Sequence, residues 1–480
     1  MTVPGEILFR QLVVVCVLTL PSGLVLFYGG MAQPKNFLNT TMQVFTTCCL
    51  ITCVWMIFGY SLAFRPGTAV IGGASRFWLL GMETWSVHPL APTIPESVFC
   101  TYQMTFAIIT PALIVGGLAE RMKFSALIAF MAAWSLCVYC PVAHSVWAPD
   151  GFLHLAGLLD FAGGTVVHIT SGFSALVAAL ILGKRHGYGC SRFEPHNVSL
   201  SMIGASLLWV GWFGFNAGSA YGANVFAGNA MITTQIATGS AALSWMLTEW
   251  VCKGKPTVMS VISGAVAGLV AITPACGFVD GNAAIIIGFV TGIICSFSVR
   301  WKHALGYDDA LDAFGVHGVG GALGALFTGL FASPKLNNFY PGCPIKSEPC
   351  LGPGTQRVSG AFYDHLLPTL YSTDYSANPA YVQGIQHYGV TGATNRQGLQ
   401  LGFQLYGIAV AGAWAMFGTA ILLLVMDKVI GIRVPPQQEA EGLDASVHGE
   451  WVYYGGKDLV PPHAGGVHTP ESGHIEPVEL

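Results

Sequence analysis

The feature that most constrains this 480-residue chain is a series of long apolar runs. A run of roughly 20 apolar residues can cross the ~30 Å hydrocarbon core of a bilayer as an α-helix, because each residue advances the helix by about 1.5 Å. Eleven runs qualify, at 7–30, 41–64, 98–119, 123–146, 159–182, 197–219, 228–251, 257–275, 282–300, 309–332 and 402–429. The sequence therefore predicts an all-α integral membrane protein with eleven transmembrane helices.

The composition supports a membrane protein and excludes several soluble classes. Only 9% of the residues are charged and 53% are hydrophobic, whereas an average soluble domain carries about 25% charged residues. So few charges could not cover the surface of a soluble protein of this length. The net charge of −4 offers no basic surface for phosphates, so we expect no nucleic-acid partner.

The distribution of Lys and Arg predicts how the chain is oriented. If the N-terminus lies outside, thirteen of the 20 basic residues fall on the cytosolic side, as the positive-inside rule requires. The short outer loops near 147–158, 220–227 and 276–281 then carry none. We therefore expect a multi-pass protein with its N-terminus outside and its C-terminus in the cytosol.

Two similar segments predict an internal repeat. The fifth run contains Asp160-Phe-Ala-Gly-Gly-Thr-Val-Val-His168, and the tenth contains Asp312-Ala-Phe-Gly-Val-His317-Gly-Val-Gly-Gly321. The tenth run comes five runs after the fifth, so the two segments run in opposite directions. This pattern predicts an inverted repeat of helices 1–5 and 6–10, with helix 11 outside it and the functional site at the repeat interface.

The repeat and the apolar runs set the predicted domain boundaries. The regions are a transmembrane domain at 1–432, pseudo-repeats at about 1–182 and 197–332, a long extracytoplasmic loop at 333–401, helix 11 at 402–429, and a cytosolic tail at 433–480.

His168 and His317 are the strongest candidates for a functional site. Each lies about ten residues, or ~15 Å, into its run, near the middle of the membrane. Ionisable residues at that depth are usually functional, and the matched depths argue against two histidines that merely satisfy nearby carbonyls.

Contacting imidazoles can share a proton, and we expect both to be neutral because an unpaired buried charge is costly. Such a pair suits a small neutral polar solute, or a proton moving separately. Zinc would need a third protein ligand that the pattern does not mark.

Residues near the ends of the runs allow two interpretations. Asp160 begins the fifth helix, where a carboxylate caps the backbone and complements the helix dipole, and where it could also favour a nearby cation. Phe106, Trp147, Trp212 and Phe215 lie near helix ends, and composition alone favours an aromatic belt or core packing for them.

Two cysteines fall in the long polar segment. Cys343 and Cys350 lie in the sequence Cys343-Pro-Ile-Lys-Ser-Glu-Pro-Cys350. On the outer side oxidation is permitted, so a disulfide is expected there, with two free thiols as the alternative.

Several segments together resemble the ammonium transporter family, Amt/Mep/Rh, over nearly the whole chain. The most specific is the Asp160 to His168 segment. The supporting segments are Phe27-Tyr-Gly-Gly30, Gly116-Gly-Leu-Ala-Glu-Arg121, Pro141-Val-Ala-His144, Trp209-Val-Gly-Trp-Phe-Gly-Phe-Asn-Ala-Gly-Ser219, Thr273-Pro-Ala-Cys-Gly277, Phe314-Gly-Val-His317-Gly and Glu441-Gly-Leu-Asp-Ala-Ser-Val-His-Gly-Glu450. The presence of Trp147 and Ser219 resembles the Amt/Mep branch.

The resemblance implies an ammonium transporter rather than an enzyme, with no cofactor and no metal. It implies an outer ammonium recruitment site formed by Phe106, Trp147 and Ser219, and a gate formed by Phe106 and Phe215. His168 and His317 would follow as twin pore histidines. The implied solutes are ammonium and ammonia, with methylammonium as an analogue. The implied assembly is a homotrimer in the lipid of the cell membrane, with one pore per subunit.

The resemblance also implies a role for the cytosolic face. The tail would pack under the neighbouring subunit, with acidic residues such as Asp444 pairing with inner-face basic residues such as Arg185. The segment Gly183-Lys-Arg-His-Gly187 resembles a docking surface for a PII-type signalling protein. An ammonium sensor of the same family is one alternative function, and a membrane enzyme that uses a histidine pair with metal is another.

Overall fold

The computed structural model describes residues 4–191, 193–333, 336 and 399–452, with the side chains of the first helix described from residue 17. The helices are α1 (Pro4–Met31), α2 (Phe37–Val54), α3 (Tyr60–Phe64), α4 (Glu96–Leu118), α5 (Phe124–Trp134), α6 (Cys140–Trp147), α7 (Phe152–Ala156), α8 (Thr170–Leu182), α9 (Val198–Gly218), α10 (Val225–Lys253), α11 (Val258–Ile272), α12 (Gly281–Leu305), α13 (Val319–Phe331), α14 (Leu399–Ile430) and α15 (Pro436–Glu441). Cys343 and Cys350 lie outside the described residues, so their pairing stays a prediction.

Within the residues that the structure describes, five turns are π-helical. They are Trp55–Gly59, Ser135–Tyr139, Gly164–Ile169, Phe314–Gly318 and Asp444–His448. The first two join α2 to α3 and α5 to α6 into continuous helices. The next two precede α8 and α13.

The predicted helical membrane fold is confirmed. Within the described residues, eight helical segments are long and apolar enough to cross a membrane by length and composition. The helices α1, α10 and α11 lie at the three remaining predicted runs. The total of eleven spans stays a prediction.

The first helices of the two repeats pack along each other. The contact between α1 and α9 is the most extensive between any two elements of the described chain. Glycine permits this approach, because a Cβ on Gly23 would lie 2.8 Å from the backbone nitrogen of Leu208 and 2.9 Å from the carbonyl oxygen of Gly204. Small residues at helix crossings are typical of membrane proteins, where close backbone packing replaces the hydrophobic drive of water.

A second close crossing brings the two histidine segments together. A Cβ on Gly172, in α8, would collide with the backbone of Gly318, at the end of the fourth π turn. Because both positions are glycine, the segments that carry His168 and His317 can approach each other closely.

One small sheet departs from the all-α architecture. The strands β1 (Val87–His88) and β2 (Ala91–Pro95) pair antiparallel, with His88 opposite Ala91. They lie in the segment 65–95 between α3 and α4, called here the outer loop because it falls on the predicted outer side.

The tail packs against its own chain at the start of α2. The Asp444 carboxylate accepts hydrogen bonds from the backbone N–H groups of Leu38 and Asn39, at 2.9 and 2.8 Å. His448 Nε2 lies 3.0 Å from Asn39 Oδ1. Within this chain Asp444 therefore binds backbone N–H groups, and its expected pairing with inner-face basic residues of a neighbouring subunit stays a prediction. The free N–H groups at a helix N-terminus match a carboxylate equally well.

Arg185 instead belongs to a buried ionic cluster. Its guanidinium lies 2.7 Å from a Glu120 oxygen and 2.8 Å from an Asp308 oxygen. Arg121 adds a 2.6 Å hydrogen bond to the Asp308 carbonyl. Burial raises the pKa of the Asp308 carboxyl, but the hydrogen bonds and charge of Arg185 outweigh it and hold that pKa below its usual value. These residues, called the inner cluster, tie together the connections that follow α4, α8 and α12.

Candidate functional site

The two predicted pore histidines contact each other. His168 lies in the π turn Gly164–Ile169 and His317 in the π turn Phe314–Gly318. Their Nδ1 atoms are 3.3 Å apart, and the rings stack with centroids 5.3 Å apart. Each is nearly fully buried. Since two nitrogens in contact need one donor and one acceptor, this contact is suited to a proton shared between the two Nδ1 atoms.

Asp160 fixes the segment that carries His168. One carboxylate oxygen accepts from the N–H groups of Gly163 and Gly164, both at 2.7 Å. The other accepts from Thr165 at 2.8 Å and Val166 at 3.1 Å. Asp160 thus satisfies four donors at the start of a helix, where intrahelical partners are missing. The cap sets the depth and direction of the turn that presents His168.

The carboxylate that matches Asp160 in the second repeat is Asp309 rather than Asp312. Asp309 stands eight residues before His317, as Asp160 stands eight before His168. Its Oδ2 accepts from the Phe314 N–H at 2.8 Å, whereas Asp312 pairs with Lys302. The equal spacing was the sequence signal for Asp309.

The two predicted gate residues form a stacked pair above the histidines. The Phe106 and Phe215 rings have centroids 4.2 Å apart and an interplanar angle of 25°. Phe215 also lies 6.2 Å from the His168 ring. Both phenylalanines are buried. The stack therefore separates the region beside Trp147 from the histidine pair.

Phe106 is also one of the three residues predicted to recruit ammonium, and the other two, Trp147 and Ser219, lie beside the stack. Trp147 meets Phe106 edge to face, with centroids 5.6 Å apart, and its Nε1–H donates to the Asp160 carbonyl at 3.1 Å. Ser219 Oγ lies 3.0 Å from the Tyr102 hydroxyl and donates to the Phe215 carbonyl at 3.0 Å. Trp147 thus contacts the Phe106 ring, and Ser219 bonds to the backbone of Phe215.

Two further residues support the site and were not assigned to it from the sequence. Tyr102 packs against Phe106 with ring centroids 5.0 Å apart. Trp212 stacks on His168 at 5.4 Å, and its Nε1–H donates to Thr273 Oγ1 at 2.9 Å. The spacing of residues along a helix could have indicated both. Tyr102 stands four residues before Phe106 and Trp212 three before Phe215, so each shares a helix face with a gate residue.

A small cavity continues the site on the far side of His317. Tyr28, Ser263 and Asp312 are among its lining residues, together with His317 itself. The cavity therefore brings the polar groups of these residues next to His317.

No three His, Cys, Asp or Glu side chains are placed to hold a metal ion within the residues that the structure describes. The histidine pair instead offers nitrogen donors and acceptors between apolar and aromatic walls. Such a pair can form hydrogen bonds with a neutral solute. It disfavours a bare ion, because the ion would lose its hydration water.

Fold and site together define a helical membrane protein with two contacting histidines buried beside a pair of stacked phenylalanines. The chain matches the model of the Ammonium Transporter Family over residues 8–453. It is 39% identical over 450 residues to the ammonium transporter of Bacillus subtilis (strain 168), covering 94% of this chain and 98% of that protein. The crystal structure of Saccharomyces cerevisiae Mep2 is similar with a TM-score of 0.74 and 33% identity, over 89% of this chain and 86% of that one. A structure titled Sensor Amt Protein is similar with a TM-score of 0.73 and 27% identity, over 91% and 97%.

The chain belongs to the ammonium transporter family. The prediction of an Amt/Mep membrane transporter is confirmed, and ammonium transport is its function.

Proposed function

We propose that ammonium is recruited between Trp147 and Ser219, loses a proton near the Phe106–Phe215 stack, and crosses as ammonia past the histidines. The observation that carries this proposal is the unbroken series of contacts from Trp147 through Phe106 and Phe215 to His168. This series supports an arrangement in which a cation-binding surface, a barrier and a hydrogen-bonding pair follow one another.

The chemistry of the upper site suits ammonium. A cation over an aromatic face gains about 0.5–2 kcal/mol, more when it is desolvated, and Trp147 and Phe106 offer two such faces. The Ser219 hydroxyl can accept a hydrogen bond from an N–H group. Potassium has no proton to donate or lose, so a hydrogen-bonding site followed by deprotonation discriminates against it.

The released proton has two routes. It returns to the outside, or it follows the ammonia through the histidine pair. The contact between the two Nδ1 atoms, at 3.3 Å, supports a relay, because one shared proton can move between them.

We also propose the setting of the transporter. It acts as a homotrimer in the cell membrane, with its N-terminus outside, its tail in the cytosol and a PII-type protein as a partner at the cytosolic face. The predicted boundaries at 1–432 and 433–480 are part of this proposal. The Lys and Arg distribution supports the orientation.

Two other functions remain as alternatives. The likeness to the Sensor Amt Protein structure favours a sensing role for the same pore, which would show as a signalling output that responds to ammonium. A metal-dependent membrane enzyme is the second alternative. Stoichiometric metal in the purified protein would support it over a transporter that is not an enzyme.

Radiolabelled methylammonium uptake into proteoliposomes tests the proposed recruitment site. The variant Trp147→Leu/Ser219→Ala loses an aromatic face and a hydrogen-bond acceptor, so half-saturation should need roughly tenfold more methylammonium, corresponding to about 1.4 kcal/mol. Phe215→Ala serves as the comparison, because it should change the maximal rate more than the half-saturating concentration. An unchanged concentration dependence in the double variant would reject the site.

A further inference from the structure

The last four carbonyl groups of α3 all accept hydrogen bonds, and two of the donors are histidines. A helix end leaves these carbonyls without intrahelical partners. Their partners are Arg65 N for Ser61 at 3.1 Å, Gly72 N for Leu62 at 2.7 Å, His144 Nδ1 for Ala63 at 3.0 Å, and His88 Nε2 for Phe64 at 3.0 Å. Two histidines from different parts of the chain therefore complete one helix end.

His88, from the outer loop, performs this task as a neutral ring. Its Nε2–H donates to the Phe64 carbonyl, while its Nδ1 accepts from the Leu90 N–H at 3.2 Å. One nitrogen donates and the other accepts, which is the pattern of an uncharged imidazole.

His144, from α6, has a different set of neighbours. Its Nδ1 faces the Ala63 carbonyl, and its Nε2 faces the Thr68 carbonyl at 2.8 Å. A carbonyl oxygen can only accept, so both ring nitrogens must carry a proton for both hydrogen bonds to form. The ring is fully buried, which makes an unmade hydrogen bond costly.

The surroundings of His144 balance a positive charge. An Asp150 carboxylate oxygen lies 3.5 Å from Nε2, and the other oxygen of Asp150 accepts from the Gly67 N–H at 3.0 Å. The carbonyl end of a helix is also the negative end of its dipole. The neighbouring cation Arg65 turns towards Glu96, 3.9 Å away.

We propose that His144 is an imidazolium that positions the recruitment aromatics. The Phe64 ring stacks on Trp147, with an interplanar angle of 11° and centroids 6.4 Å apart. His144 stands three residues before Trp147 on α6 and holds the end of the helix that carries Phe64. A charged His144 therefore holds Phe64 in its stacked position against Trp147. It does so because it lies on the same helix as Trp147 and is hydrogen-bonded to the end of the helix that carries Phe64. The positioning role rests on the proposed recruitment site, whereas the charge of the ring does not.

Nitrogen NMR of protein labelled with ¹⁵N-histidine, reconstituted in lipid at neutral pH, tests the charge. The His144→Gln variant should lack the signal of one ring in which both nitrogens are protonated. If the missing signal contains an unprotonated nitrogen, His144 is neutral and the proposal is overturned. Asp150→Asn, at a half-exposed position, is a second variant that should fold, and it should weaken the same doubly protonated signal. An unchanged set of histidine signals in Asp150→Asn would also overturn the proposal.

Methylammonium uptake tests the positioning role, with His88→Gln as the matched control. Glutamine can replace His88, because its amide donates with one atom and accepts with the other. At His144 the amide oxygen must face a carbonyl oxygen. We expect the half-saturating concentration to rise about tenfold in His144→Gln, with little change in maximal rate, and to stay within about twofold in His88→Gln. Equal effects of the two variants would reject the positioning role.

The NMR and uptake experiments distinguish a failure of this inference from a failure of the proposed recruitment site. If Trp147→Leu/Ser219→Ala leaves methylammonium affinity unchanged, the recruitment site fails, and the positioning role fails with it. The NMR result would still decide whether His144 is charged.

Discussion

His168 and His317 meet through their Nδ1 atoms, and Nε2 of His168 is buried without a hydrogen-bond partner among the described residues. A buried polar atom left without a partner costs about 1–3 kcal/mol. Ammonia, or a water that precedes it, would remove that cost. At the scale of the single residue, Nε2 is therefore the atom that we assign to the passing solute.

Substitutions at the two histidines should separate conduction from proton transfer. His168→Asp or His317→Glu introduces an acidic group at the position of the histidine pair, so we expect altered ion selectivity or altered proton coupling. Alanine at either position removes the shared proton and should mainly reduce charge movement. Currents from reconstituted protein, measured beside methylammonium uptake, distinguish these effects. Wild-type ammonium currents in the double alanine variant would reject the histidine relay.

Depth and repetition allowed the sequence to predict the two histidines, whereas other residues needed the fold. An ionisable residue in the middle of an apolar run stands out because membranes rarely tolerate one. His144 also lies in an apolar run, but its importance depends on carbonyls about 80 residues away. Tyr102 and Trp212 looked like ordinary aromatic residues until their hydrogen bonds to Ser219 and Thr273 were known. Long-range partners of this kind leave no local pattern.

At the scale of the element, the inner cluster should stabilise the connections that follow α4, α8 and α12. Arg185→Leu would leave the buried carboxylates of Glu120 and Asp308 without the cation nearest to each, and removing one member of a buried ion pair typically costs about 3–5 kcal/mol. Thermal unfolding in detergent should show a clear loss of stability. Lys253→Leu is the control, because Lys253 is 57% exposed in its pair with Glu249 and such pairs contribute about 0–1 kcal/mol. Equal losses in the two variants would contradict a structural role for the inner cluster.

The outer loop should lose stability in acid because of His88. Burial lowers the pKa of His88 in the folded protein. The unfolded chain takes up this proton at about pH 6.5, so the stabilising contribution is complete above that pH and is lost as the pH falls towards the lowered folded value. The unfolding temperature should therefore fall between about pH 7 and 5, and less so in His88→Gln. The exposed His303→Gln variant should keep the wild-type slope, and an identical slope in His88→Gln would contradict this assignment.

The long helices were predictable because hydrophobicity alone requires them in a membrane. Runs such as 98–119 and 402–429 coincide with α4 and α14 to within a few residues. The π turns were not predictable, because they depend on capping by residues such as Asp160 and on the packing of Gly172 against Gly318. The β1–β2 pair is also short, at two and five residues, so it leaves little pattern in the sequence.

At the scale of the whole molecule, the tail contacts the transporter through specific hydrogen bonds. Truncation before Glu441 removes Asp444 and its bonds to the start of α2. We expect transport to fall while the amount of protein in the membrane stays the same, since the removed segment follows the last long helix. Uptake normalised to membrane protein measures this effect. Asp444→Asn is the point control and should cause a smaller loss, and full transport by the truncated protein would show that the tail is not a coupling element.

Ion-specific transport by the purified protein tests the central claim most directly. Proteoliposomes should be exposed in turn to inward ammonium and potassium gradients, with electrical current and internal pH recorded together and protein-free liposomes as the baseline. The account predicts a protein-dependent ammonium signal, seen as current if the proton follows and as internal alkalinisation if it stays outside, with no signal from potassium. An equal response to potassium, or an ammonium response no larger than that of protein-free liposomes, would contradict it.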